Sequence, residues 1–322
     1  MSVLRNKKVL PFVVILLVII LVTAIFRMVS RTPSDKSRKH ISMIVFGDDQ
    51  DRWENMREGA GLVCENNDAD LALITMMSEN DTAEQEEIIQ REIENGADAL
   101  LIASCNSKEI SDFIKRSNVR IPVVYIGASD QADEGSFITP DDYRMGYELG
   151  EEIAENESGI VTVAIISENT QRDSVRLREE GLRDAIEGKV GRIITWKGDE
   201  YKSVTKTRTF IQRAIVSEAT DVIVSFDNTS TDALLDALTN LNKTSKVYSI
   251  STSEKAVYNL YGSRIKALEY PDEFSMGYLA AMNALDVPEA AKYSKKAIDY
   301  RIVRKENMYD EDNQTLLFPF VN

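Results

Sequence analysis

The chain has 322 residues, 43% of them hydrophobic and 28% charged, which is enough material for two lobes with real cores. Its charge is divided unevenly. Residues 1–40 hold eight Lys or Arg against the single acid Asp35, leaving 30 basic and 52 acidic residues, a net of −22, in the remainder. So acidic a body is repelled by nucleic acid and by anionic lipid surfaces, which argues against DNA or RNA as partners.

Two cysteines, Cys64 and Cys105, rule out a disulfide framework and read as buried free thiols, with pairing in an oxidising compartment as the alternative. The single histidine, His40, leaves no material for a histidine base or for histidine metal ligands.

Val9 to Phe26 is an uncharged run of eighteen residues, long enough to cross a bilayer as a helix. Arg5, Lys7 and Lys8 precede it as in an export signal; no small-x-small cleavage site and no lipoprotein cysteine follows. An uncleaved anchor is the reading, with a cleaved signal as the alternative, and with the amino terminus inside and the bulk of the chain outside the cytoplasm. Ser30–His40 is a polar, basic stalk.

From Ile41 short apolar runs alternate with amphipathic stretches. Strands are expected at Ile41–Phe46, Leu71–Thr75, Ala97–Ala103 and Val123–Ile126, with helices at Arg52–Asn67, Thr82–Asn95 and Lys108–Ser117 between them. Ile121–Gly150 carries the last of these strands, a loop, a short strand at Phe137–Thr139 and the turn Pro140-Asp141-Asp142 that opens a helix over Tyr143–Ala154. It reads as a crossing between lobes. The rhythm then restarts with strands at Ile160–Ser167, Gly191–Trp196, Asp221–Phe226, Lys246–Ile250 and Ile265–Leu268. Helices are expected at Thr170–Glu187, Ser203–Ser217, Thr229–Leu241 and Glu254–Tyr261, and another ends near Leu285. Two strands, Ile298–Val303 and Leu316–Phe320, close the chain. Runs of four to seven apolar residues between helices signal a parallel sheet covered on both faces. Two such arrays predict two doubly wound lobes, with a ligand beyond the carboxyl ends of the strands.

Enzymatic motifs are missing, and the reading is of a protein that is not an enzyme and needs no cofactor. Gly59-Ala60-Gly61 sits inside a helix pattern without a third glycine, and Gly188-Lys189 has Arg183 where a phosphate loop needs its leading glycine. Asp48-Asp49-Gln50-Asp51 lacks the glycine and the terminal glutamate of a calcium loop. A hydrolase working through paired carboxylates stays open on residue types alone.

The order Phe46-Gly47-Asp48-Asp49, Gly96-Ala97-Asp98-Ala99-Leu100-Leu101, Ile121-Pro122-Val123-Val124, Ile138-Thr139-Pro140-Asp141, Glu179-Glu180-Gly181 and Glu269-Tyr270-Pro271 resembles the type I periplasmic sugar-binding proteins. That family includes the ribose and galactose binders and the ligand domains of lactose-repressor-type regulators. The resemblance covers about residues 41–320. It implies an α/β fold of two doubly wound parallel-sheet lobes joined by three crossings, here preceded by one N-terminal transmembrane helix. The lobes would comprise residues 41–139 with 270–300, and 140–269 with 301–322.

Carried over residue by residue, the resemblance implies a ligand site of Asp49, Trp53, Asp141, Arg178, Tyr201, Asp227 and Glu269. Trp53 would be the aromatic platform, Asp141 the hinge acid and Arg178 the cation in the cleft, while Asp142 reads as a helix cap. The chemistry suits a sugar or polyol: carboxylates accept from vicinal hydroxyls, arginine donates twice, and rings cover the apolar sugar face. Two sugar contacts of the family are missing, since Gly127-Ala128 and Ser251-Thr252-Ser253 stand in their places. Together Asp48, Asp49, Asp141, Asp227 and Glu269 would also suit a cation. For Trp53 a core role, and for Arg178 an exposed ion-pair role on its charged helix, are the structural alternatives.

The implied function is a membrane-anchored, extracytoplasmic substrate-binding protein that delivers a sugar-like solute to an ABC-type permease. The alternative is an anchored ligand sensor reporting to a membrane receptor such as a histidine kinase.

Overall fold

The computed structural model describes residues 38–128, 136–157, 159–198, 204–288, 290 and 298–317. The chain divides into two compact units, Met1–Lys39 and His40–Asn322. The expected span Val9–Phe26 lies outside the described residues; among those described, no helix is long and apolar enough to cross a membrane.

Two sheets organise the second unit. The first holds β1 (Lys39–Val45), β2 (Ala69–Thr75), β3 (Ala99–Ala103), β4 (Val123–Ile126) and β5 (Ser136–Ile138), in the order β2-β1-β3-β4-β5. A 3-10 turn at Asp51–Trp53 and the helix α1 (Glu54–Asn66) follow β1, and α2 (Thr82–Glu94) and α3 (Ser107–Arg116) follow β2 and β3. β3, Ala-Leu-Leu-Ile-Ala, is buried at every residue, as a central parallel strand covered on both faces must be.

The second sheet holds β6 (Thr162–Ile166), β7 (Arg192–Trp196), β8 (Val222–Ser225), β9 (Lys246–Ile250), β10 (Ile265–Pro271) and β11 (Tyr300–Val303), in the order β7-β6-β8-β9-β10-β11. Its helices are α4 (Asp142–Asn156), α5 (Asp173–Ile186), α6 (Val204–Ser217), α7 (Asn228–Asn240) and α8 (Glu254–Tyr261). β6 to β10 pair in parallel, and β11 runs antiparallel to β10.

Thus the two lobes share one strand order, with a reversal between β1 and β3 in one and between β6 and β8 in the other. Such switch points open a crevice beyond the strand ends. The chain changes lobe through Thr139–Asp141 into α4, and again through Pro271–Asp272 into α9 (Glu273–Ala284), which packs on α1 in the first core. It returns from α9 to β11 as the third crossing.

The expected closing strand at Leu316–Phe320 is not a strand where it is described. Glu311–Leu317 forms a helix, α10, with Glu311 and Asp312 in its first turn, where carboxylates favour helix. Leu316 and Leu317 pack against the second core. Phe318–Phe320 lie outside the described residues. Cys64 and Cys105 are free and buried, and burial pushes both thiols up to about 11.

Candidate functional site

The carboxyl ends of β1, β3 and β4 face those of β8, β9 and β10, and the start of α5, across a cavity of about 90 Å³. On the first lobe Ala103 and Ile126 end β3 and β4 and Phe46 follows β1; on the second, Asn228 opens α7 and Ser251 and Thr252 follow β9.

Hydrogen bonds bridge the lobes around this cavity. Arg172, just before α5, donates through Nη2 to Glu79 Oε2 at 2.9 Å, to Glu79 O at 3.0 Å and to Asn80 Oδ1 at 2.9 Å. Asn80 Nδ2 donates to Asn169 Oδ1 at 2.8 Å. Arg52 Nη1 donates to Thr229 Oγ1, and Thr252 Oγ1 to Glu273 Oε1 at 2.9 Å. Ser107 Oγ accepts from Asp173 N at 3.0 Å.

Glu79 sits between two cations. Arg52 Nη1 reaches its Oε1 at 3.2 Å, and Arg172 takes the other oxygen. Burial raises this carboxyl, but Arg52 and Arg172 outweigh it and hold it below the usual range. The aromatic faces are covered. Arg172 lies 3.6 Å from the Phe46 ring centroid, and Arg52 lies 4.6 Å from Phe46 and 5.0 Å from Trp53. These cation–π contacts set guanidinium groups over the two rings.

Three of the expected ligand residues meet here: Trp53, Arg178 and Asp227. Trp53 is buried, meets Phe46 edge-on at 5.0 Å and donates through Nε1 to Phe46 O at 3.2 Å. It therefore supports Phe46, and Arg52 rather than open space lies over its ring. Arg178 donates through Nε to Asp142 Oδ1 at 2.7 Å and through Nη1 to Phe226 O at 3.0 Å. Asp227 caps α7, accepting from Ser230 N at 2.8 Å, and also accepts from Asn169 Nδ2 at 3.0 Å.

The others stand elsewhere. Gly47, at φ +77°, turns the chain after β1, and Asp48, Asp49 and Gln50 end up exposed, with Asp49 Oδ1 accepting from Asp51 N. Asp141 is an exposed cap accepting from Arg144 N at 3.0 Å, so the two neighbouring acids exchange their expected roles. Asp142 is the buried one, at 3% exposure, and holds Arg178. Glu269 is fully buried in β10 and does not line the cavity; neither carboxylate oxygen has a partner. Burial, and then Glu148, push its carboxyl well above the usual range. An acidic, cation-attracting cleft is thus not what the fold builds, because of those five acids only Asp227 lines the cavity. Tyr201 lies outside the described residues.

Sequence reasoning missed Arg52, Glu79, Arg172 and Glu273. For Glu273 a signal existed. Pro140-Asp141-Asp142-Tyr143-Arg144-Met145-Gly146-Tyr147 recurs as Pro271-Asp272-Glu273-Phe274-Ser275-Met276-Gly277-Tyr278. The copies do the same work at the two crossings. Asp141 and Asp272 cap their helices, Met145 and Met276 are buried, and Tyr143–Tyr147 and Phe274–Tyr278 stack. Gly146 meets the backbone of Arg178, and Gly277 that of Met56, so close that a Cβ would overlap the carbonyl. Glu273 is therefore the counterpart of Asp142. It is half-buried at the cavity, and burial, opposed by the Thr252 hydrogen bond, pushes it up to about 7.

A sequence model of the family described as "Periplasmic binding protein domain" matches residues 41–292. No curated protein matches the chain significantly. Among solved structures, the chain is similar to an ABC transporter solute-binding protein from Agrobacterium vitis with bound D-fucose, at 16% identity and a TM-score of 0.77, covering 87% of this chain and 100% of that one. A carbohydrate transporter solute-binding protein from Agrobacterium radiobacter, in complex with D-arabinose, gives 18%, 0.73, 87% and 99%. The glucose-galactose binding protein GanP from Geobacillus stearothermophilus gives 18%, 0.71, 84% and 99%. At such identities the likeness speaks for the fold.

Proposed function

Because the chain belongs to the periplasmic binding protein domain family, we propose that it is a solute receptor that closes two lobes over a small sugar-like molecule. The observation that carries the reading is the cavity, whose walls come from the strand ends of both lobes and whose rim is bridged by Arg172–Glu79, Arg52–Thr229 and Thr252–Glu273. A ligand that touches both walls favours the closed state by its differential contacts, and needs no bond-making chemistry to act. We read the chain as a binding protein, not an enzyme. The hydrophobic run Val9–Phe26 supports anchorage in the cell membrane with residues 41–322 outside the cytoplasm. The two Agrobacterium structures named above are solute-binding proteins of transporters, and the matching partner here is an ABC-type permease that accepts the closed form.

The test is a thermal-shift screen of the full chain in detergent against monosaccharides, polyols, sugar acids, nucleosides and polyamines. A ligand at a hundredfold excess over its dissociation constant stabilises the folded state by about 2.7 kcal/mol, which moves the melting temperature by several degrees. A shift with sugars or their derivatives is the expected result. A shift with polyamines alone, or none across the panel, would overturn the reading.

A further inference from the structure

The hydrogen-bond inventory of the cavity constrains the charge of the solute. Three of the four acids at or beside it have both oxygens engaged, and the fourth, Glu273, accepts from Thr252 through Oε1. Glu79 accepts from Arg52 and Arg172, Asp142 from Arg178 and from Thr139 Oγ1 at 2.5 Å, and Asp227 from Ser230 N, Ser230 Oγ and Asn169 Nδ2. Some donors are not engaged. Arg172 is 2% exposed, and its Nε–H and its Nη1 N–H groups have no acceptor. Ser104 Oγ, in the same wall, is buried without a partner.

Arg172 is fixed in that pose by Nη2, which makes three hydrogen bonds across the lobes, and by the Phe46 ring beneath it. Arg172 is one of the residues that line the cavity, and its Nε and Nη1 are buried from solvent. Buried N–H groups on a cation are costly until an acceptor meets them. A neutral polyol is a poorer match, because each hydroxyl brings an O–H donor and three of the four nearby carboxylates already have both oxygens engaged. A carboxylate brings acceptors only, and its hydrogen bonds with guanidinium are charge-assisted.

We propose that the solute is a sugar-sized hydroxy acid, such as an aldonate or a uronate, whose carboxylate is received by Arg172 Nε and Nη1 with Ser104 Oγ donating beside them. The proposal rests on the reading of the cavity as a solute site and narrows it to one class. Arg178, whose charge is matched by Asp142 and whose Nη1 is held by Phe226 O, serves the hydroxyl end or the cavity wall. Among the described residues, the buried donors of the lining without a partner are Arg172 Nε and Nη1 and Ser104 Oγ.

The experiment is titration calorimetry on the full chain in detergent with matched pairs: D-galacturonate against D-galactose, and D-gluconate against D-glucitol. The acid of a pair is expected to bind about tenfold tighter or more at low salt, with the margin narrowing as ionic strength rises. In Arg172→Gln the preference should vanish, while Arg172→Lys, which keeps the charge and loses the fixed planar donors, should retain part of it. The wild-type comparison stands even if a variant fails to fold. Neutral sugars binding as tightly as their acids would overturn the acid assignment and leave the solute receptor standing. Binding of neither member of either pair, nor of any other sugar, would bring both down. An acid preference that survives Arg172→Gln in a folded variant would overturn the assignment to Arg172.

Discussion

Replacing Glu273 by Gln isolates a titration that the fold places at the lobe boundary. The carboxyl has its usual value near 4.5 in the unfolded chain and about 7 in the folded one, raised chiefly by burial. A folded-state value above the unfolded one means that the folded state holds its proton more tightly. The site therefore costs nothing below pH 4.5, destabilises progressively between 4.5 and 7, and costs a constant amount above. The separation, at about 1.4 kcal/mol per unit, gives a ceiling of about 3.4 kcal/mol. Partial access of water to this half-buried group brings the expected cost nearer 2 kcal/mol. Gln cannot ionise, and its amide oxygen can still accept from Thr252 Oγ1. The assay is urea unfolding of the wild type and Glu273→Gln across pH 4.5 to 8.5. The two should coincide near pH 4.5, and the variant should lead by about 2 kcal/mol at pH 8, worth roughly 3 °C in melting temperature at this chain length. A gap that does not change with pH, or a variant that is the less stable at pH 8, would refute the argument. Glu269 acts with the same sign, but it is present in both proteins and drops out of the difference.

The neighbouring acids at the first crossing should separate cleanly by mutation. Asp142→Ala strands the Arg178 charge and should cost about 3–5 kcal/mol, whereas Asp141→Ala removes only an exposed cap, worth about 1 kcal/mol; equal losses in urea unfolding would contradict the assignment. Gly277→Ala forces α9 off the Met56 backbone and should lose about 1–3 kcal/mol or more. Gly61→Ala, in the same helix pair but with nothing within 4 Å of the new Cβ, should gain about 0.5–1 kcal/mol. Glu269→Gln should flatten the fall in melting temperature from pH 5 to 8; a profile identical to the wild type would mean that the buried carboxyl does not titrate there.

The fold was legible because its signals are local and repeat. Every expected strand from Ile41 to Leu268 has its counterpart within a few residues, since buried parallel strands are short apolar runs between caps such as Asp81, Asn106, Asp227 and Ser253. The tail failed because Leu316-Leu317 reads as the start of a strand, while the carboxylates before it favour a helix. The site was read only in part. Asp227 lies between β8 and α7 as a cap and Arg178 in the second turn of α5, positions that periodicity can place. Arg172 and Glu79 precede helices in loops and find each other over a separation of 93 residues, which no local pattern reveals. Which of Asp141 and Asp142 turns inward is decided by helix phase, one residue apart, and the aligned copy at Asp272-Glu273 was the available guide.

The guanidinium groups over Phe46 and Trp53 have a consequence for the heat of solute capture. A sugar that stacks on bare rings buries apolar surface and lowers the heat capacity of the complex. In this cleft the ring faces are already shielded by Arg52 and Arg172 before a solute arrives. Capture should thus be driven by enthalpy, with a small heat-capacity change and a binding enthalpy that hardly varies between 10 and about 35 °C.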